Sequence, residues 1–206
     1  MVANHLLNLK LKLLIQGKIK TTNVFHKAYG SKTRITCLQG GTRSSKTYSL
    51  CQLFIVKCLE ETGKVFTICR KTLPALKGTA YRDVLNILKE LELYSEENHN
   101  KSELSYTLNG NLIEFISVDQ PQKIRGRKRD YLWLNEANEL HYEDWQQLVL
   151  RTTGQIYLDY NPSDPYSWIY ERYAVSVLCI CFWIVVKLCW IGTAEYNWNT
   201  LSSVCS

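Results

Sequence analysis

The residues with the clearest chemistry are Gly40-Gly41-Thr42-Arg43-Ser44-Ser45-Lys46-Thr47. A loop binds phosphate when its backbone N–H groups converge at a helix N-terminus, a lysine reaches the β and γ phosphates, and a hydroxyl meets Mg²⁺. Gly40 opens such a loop here, Lys46 stands where the lysine is needed, and Thr47 supplies the hydroxyl. Ser45 occupies the position that is glycine in the pattern GxxxxGK[ST], so the loop requires an α-region backbone there. The bland alternative is an N-capped helix after a glycine turn.

A second group follows at YLWLNEANEL (131–140), an apolar run that ends in amides and acids. If this is a strand beside the phosphate-loop strand, Asn135 falls near the water shell of a bound Mg²⁺. Glu136 is then placed to take a proton from an attacking water, which makes it the candidate general base. Asn135 brings no negative charge, so its carbonyl would contact the metal through water and Mg²⁺ binding would be weaker. Without the loop at 40–47, Glu136 would read as a solvated loop carboxylate.

Positioning these groups requires strands and helices in alternation. RITCLQ (34–39) is a short β-rich run, and Lys46 to Glu61 carries apolar residues at helical spacing. KVFTICR (64–70) is almost continuously apolar, as in a strand covered on both faces. Pro74 opens a helix over 75–92, and 103–118 reads as a hairpin about Asn109-Gly110. A basic loop, KIRGRKRD (123–130), precedes the strand at 131, and a helix at 142–150 and a strand at 155–160 complete the set. The order implies an α/β, three-layer P-loop NTPase fold with a mainly parallel central sheet.

Composition sets the outer bounds. The chain has 206 residues, 46% of them hydrophobic, which suits one α/β domain and excludes global disorder. A net charge of +6 is compatible with a polyanion partner. The 8 cysteines include no CxxC pair, and the start lacks a secretory signal, so the thiols are expected to be reduced in a cytoplasm.

Taken together, GGTRSSKT, RKTLPALKGTAYRDV (70–84), KIRGRKRDYLWLNEANEL and LDYNPSDPYSWIYERY (158–173) resemble, in this order, the ATPase half of bacteriophage terminase large subunits. That resemblance covers roughly 20–173. It implies a motor that hydrolyses ATP with Mg²⁺ to drive double-stranded viral DNA into a procapsid, in the bacterial host cytoplasm. It implies catalytic roles for Lys46 and Glu136, and for Arg43 as an arginine finger acting in cis. Asn161 matches the coupling motif, which senses the γ-phosphate. Implied partners are DNA, a small terminase subunit, a portal ring and further copies of the chain in a ring. The DNA-contact candidates are Lys123, Arg125, Arg127, Lys128 and Arg129, with Arg70, Lys71 and Lys77 beside them. Taken alone, such a basic run is a solvated face.

Three segments are expected: a lead of 1–20, a P-loop ATPase domain over 21–173, and an apolar Cys/Trp-rich tail over 174–206. Family nucleases carry clustered aspartates, and none follow residue 173, so nuclease activity is not expected. The tail has three readings: a membrane helix, a strand pair that completes the sheet, or a broken reading frame in a decayed prophage that leaves poorly packed sequence. The last is favoured. A rival to the motor is a non-catalytic nucleotide- or DNA-binding remnant.

Overall fold

β-branched, aromatic and aliphatic residues build the strands β1 (Ile35–Gln39), β2 (Val65–Arg70), β3 (His99–Asn100), β4 (Ser105–Leu108), β5 (Asn111–Ser117), β6 (Tyr131–Leu134) and β7 (Ile156–Tyr160). Two short strands follow, β8 (Val177–Cys179) and β9 (Ile184–Val185). The computed structural model describes residues 17, 19–41, 43–119, 124, 128–161, 168–173, 177–179 and 184–185. Residues 1–16 and 18 of the lead segment 1–20, and much of the tail 174–206, lie outside that set.

All described strands join one sheet in the order β3-β4-β5-β2-β6-β7-β1-β8-β9. The run from β5 to β8 is parallel, and β3, β4 and β9 add antiparallel edges. The sheet is therefore mainly parallel, as its apolar runs imply.

One expectation about neighbours fails. β6 does not lie beside the phosphate-loop strand β1, because β7 is inserted between them. Every residue of β7 is buried, and such a strand needs partners on both edges and cover on both faces. Register then aligns the strand ends: Leu38 pairs with Asp159, Gln39 with Tyr160, and Leu134 with Leu158. Gly40, Asn135 and Asn161 consequently emerge at the same end of the sheet.

Helices cover the two faces. On one side lie α1 (Asn23–Gly30), α2 (Lys46–Glu60) and α4 (Arg82–Glu90). α1 begins at Thr22, whose hydroxyl accepts from the Phe25 amide at 3.1 Å. Phe54 of α2 sits at the centre of this layer, its ring 5.7 Å from those of Phe66 and Trp133 and 5.9 Å from Tyr157. The other face packs Leu132, Leu134, Ile156 and Leu158 against Trp145 and Leu148 of α5 (Tyr142–Leu150), with Ile169 of α6 (Trp168–Tyr173).

The helix expected over 75–92 is interrupted. α3 (Leu73–Leu76) passes through a π turn, Lys77–Tyr81, before α4 begins, and Thr79 sits there at φ −123° and ψ −105°. Its hydroxyl donates to the Ala75 carbonyl at 2.7 Å and also reaches the Asn135 side chain at 3.2 Å. The distortion thus turns a helical residue toward the end of β6.

The hairpin β4–β5 turns at Asn109 and Gly110 with φ of 53° and 74°, the primed turn that this dipeptide favours. Asn109 and buried Asn111 also donate to the carbonyl of Cys58, near the end of α2, and to that of Glu61 just beyond it. Cys37, Cys51, Cys58 and Cys69 are buried free thiols, and burial pushes Cys37 up to about 12. At the far edge β8 pairs parallel with β1, and β9 antiparallel with β8. At these residues the tail takes the strand-pair form. No helix among the described residues is long and apolar enough to cross a membrane.

Candidate active site

The end of β1 feeds straight into the loop that starts α2, and the loop wraps its own lysine. Lys46 is 5% exposed. Its ammonium donates to the Gly40 carbonyl at 2.5 Å, the Gly41 carbonyl at 3.1 Å and the Ser44 hydroxyl at 3.0 Å. It also donates to Asn161 Oδ1 at 3.0 Å. Four acceptors share three N–H bonds, an arrangement that an arriving anion can displace.

Ser45 precedes α2 at φ 59° and ψ 16°, in the left-handed region. The α-region requirement is met in the handedness that glycine adopts without strain. Its carbonyl accepts from the Ser49 hydroxyl at 2.6 Å, and that hydroxyl lies 2.6 Å from Thr22 Oγ1. The loop is thereby tied to the start of α1. Arg43 is exposed, also at positive φ, and Thr47 sits half-buried in the first turn of α2. Thr42 lies outside the described residues.

Glu136 follows β6 at φ 52° and caps a short 3₁₀ turn, Ala137–Glu139. Its Oε2 accepts from Asn161 Nδ2 at 3.4 Å. Burial pushes its carboxyl above the usual range, while Arg70 and Lys46 pull it down and Glu139 pushes it up. Asn161, at the end of the inserted strand β7, therefore bridges Lys46 and Glu136 with the two ends of one amide. Loop and carboxylate face each other across that residue.

Asn135 differs from its expected role. Its Oδ1 accepts from Thr79 at 3.2 Å and Arg70 Nη1 at 3.4 Å, so the carbonyl is turned away from Thr47. Its amide nitrogen instead lies 3.4 Å from Thr47 Oγ1 and 3.2 to 3.3 Å from both oxygens of Asp159. The orientation is dictated by chemistry, because the reverse would set NH₂ against a guanidinium and oxygen against a carboxylate.

Asp159 was not singled out by the sequence. It is fully buried, accepts from the Trp133 indole at 2.6 Å, and is pushed up to about 6 by burial, against the pull of its Trp133 and Asn135 bonds and of Lys46. A lone Asp inside LDY carries no motif, and only the register of β7 brings it under Asn135. Arg70, Thr79 and Glu139 were likewise not linked to this site by sequence reasoning.

The basic candidates divide. Arg129 is 1% exposed and donates to the Ile124 carbonyl at 3.0 Å, so it is a buried structural arginine and not a DNA contact. Arg70 is partly exposed and engaged by Glu139, at 2.9 Å from Nη2 and 3.3 Å from Nε. Lys71, Lys77 and Lys128 are exposed. Lys123, Arg125 and Arg127 lie outside the described residues.

Comparison with known proteins fits this geometry. The family model described as phage terminase large subunit matches residues 32–176, from the start of β1 past α6. The chain belongs to the phage terminase large subunit family. The large terminase of a thermophilic bacteriophage superposes with a TM-score of 0.65 at 16% identity, covering 76% of this chain and 43% of that one. The same terminase in complex with ADP gives 0.59 at 20% identity, covering 81% and 41%. The ATPase domain of the Thermus phage P74-26 large terminase gives 0.61 at 16% identity, covering 80% and 73%. At these identities the likeness is one of fold, and the chain spans less than half of the thermophilic phage's terminase. No curated protein matches the chain.

Proposed function

We propose that this chain is the ATP-hydrolysing motor domain of a phage terminase large subunit, driving double-stranded viral DNA into the procapsid in the host cytoplasm. The observation that carries the proposal is the continuous link from Lys46 through Asn161 to Glu136. It sets a phosphate-binding lysine and a carboxylate on either side of one amide.

In this mechanism the loop over 40–47, including Gly41, Thr42 and Ser44, offers its N–H groups to the phosphates. Lys46 exchanges its loop carbonyls for phosphate oxygens. Arg43 adds positive charge at the γ-phosphate as that group departs. Glu136 orients the attacking water and takes its proton, and Asn161 reports the event by changing partners between Lys46 and Glu136. The oxygen set fits Mg²⁺: the Thr47 hydroxyl stands in the first turn of α2, with a carboxylate one amide away. When bound, Mg²⁺ neutralises charge on the β and γ phosphate oxygens.

For DNA, the exposed Lys71, Lys77 and Lys128, with Lys123, Arg125 and Arg127, suit phosphate contacts that do not read sequence. The ring of copies, the portal and the small terminase subunit belong to the same proposal. A non-catalytic remnant is favoured by one observation, the amide at 135 where a carboxylate is usual.

Phosphate release from Mg²⁺·ATP separates the two. The motor predicts turnover in the wild type that falls at least about 100-fold in Lys46→Ala and in Glu136→Gln. Equal rates in all three proteins would leave only the remnant.

A further inference from the structure

The carboxylate missing at the end of β6 has a counterpart on the next strand. Position 135 is an amide, and its nitrogen sits between two oxygens of Asp159 on one side and the Thr47 hydroxyl on the other. Asp159 is 0% exposed. Among the described residues no lysine or arginine forms an ion pair with it. Its two donors, the Trp133 indole and the Asn135 amide, are neutral.

A buried carboxylate with no ion-pair partner is costly. The Lys46 charge offsets part of that cost without forming an ion pair with Asp159. The Asn135 amide links this carboxylate to the Thr47 hydroxyl on its other side. An amide at 159 would keep one oxygen for the Trp133 indole but turn its NH₂ against the Asn135 NH₂, so the carboxylate both accepts at two oxygens and brings charge.

We propose that Asp159 is the positioning carboxylate of the metal site, transferred from β6 to β7. It holds the Asn135 amide toward Thr47 and supplies, one residue removed, the negative charge that a divalent cation at Thr47 requires. The inference rests on the nucleotide reading given above. It adds that residues 135 and 159 share one function that depends on a single negative charge, on either strand.

The exchange of these two residues provides the test. In the full chain, Mn²⁺ affinity is measured by electron paramagnetic resonance at saturating ATPγS, and ATPγS affinity is measured separately in EDTA. Asp159→Asn is expected to weaken Mn²⁺ binding about 10-fold while metal-free ATPγS binding stays unchanged. Asn135→Asp places two carboxylates side by side, where they cannot both ionise readily, and gains no Mn²⁺ affinity. The double exchange Asn135→Asp/Asp159→Asn is expected to return to within about threefold of wild type.

Unchanged Mn²⁺ affinity in Asp159→Asn, or a double exchange that adds a further loss, overturns the proposal. If Asp159→Asn does not fold, the double exchange decides alone: it must fold and bind Mn²⁺ within that threefold, or the proposal is wrong. Failure of the wild type to bind ATPγS in EDTA and with Mn²⁺ alike would be different, since it removes the nucleotide reading itself.

Discussion

Ser45 and Glu136 are side-chain-bearing residues held at φ 59° and φ 52° on either side of the proposed phosphate site. Left-handed backbone costs a non-glycine residue about 1 kcal/mol, a cost that collects where geometry serves a reaction. Ser45→Gly is therefore expected to keep stability within about 1 kcal/mol of wild type and to keep ATP turnover, whereas β-branched Ser45→Val loses about 1–2 kcal/mol. Urea unfolding and phosphate release measure both, and equal behaviour of the two variants would contradict the strained loop. The pH response follows from Glu136. Its carboxyl is raised, chiefly by burial, so it becomes a base only above the ordinary range near ~4.3. kcat/KM is expected to rise with pH through that raised value, and a profile that turns over at or below the ordinary carboxylate range would contradict the assignment. At this scale Lys46, Thr47 and Glu136 are singled out by residue type and spacing, and Asn161 by the resemblance alone. The roles of Asp159 and Arg129 and the orientation of Asn135 are not legible in the sequence, because each depends on which strand or helix lies opposite.

Among the elements, β7 matters most, since its insertion between β1 and β6 carries Asn161 into the gap between lysine and carboxylate. The strands and helices themselves follow from periodicity: the helix expected at 142–150 and the hairpin at Asn109-Gly110 are both present. Strand order is not written in periodicity, because a fully buried strand reads the same wherever it sits in the sheet. The π turn at Lys77–Tyr81 is equally hidden, its residues being ordinary helix formers apart from Gly78 and Thr79. The C-terminal end of α2 gives an element-scale prediction. Asn111 is 1% exposed and donates to the Cys58 and Glu61 carbonyls at 2.7 Å each. Asn111→Ala leaves those carbonyls with Asn109 alone and the Lys64 N–H without its side-chain acceptor, and is expected to cost about 1–3 kcal/mol in urea unfolding. The phosphate loop is at the opposite end of α2, so nucleotide affinity of the folded variant is expected to be unchanged. A loss of affinity without a loss of stability would contradict that separation.

For the whole molecule, a mainly parallel sheet gathers the ends of β1, β7 and β6 on one rim, the place where open α/β sheets bind ligands. The rim supports the proposed place of the nucleotide, and the exposed Lys71 and Lys77 follow the end of β2 on the same rim. The central claim is that the loop at 40–47 and Glu136 enclose the end of a triphosphate. A crystal structure of the full chain with ATPγS and Mg²⁺ tests it most directly. The account predicts phosphates in the loop, the Lys46 ammonium moved from the Gly40 and Gly41 carbonyls onto phosphate oxygens, and the Glu136 carboxylate facing the γ group. A nucleotide bound elsewhere, with Lys46 still on those carbonyls, would contradict it.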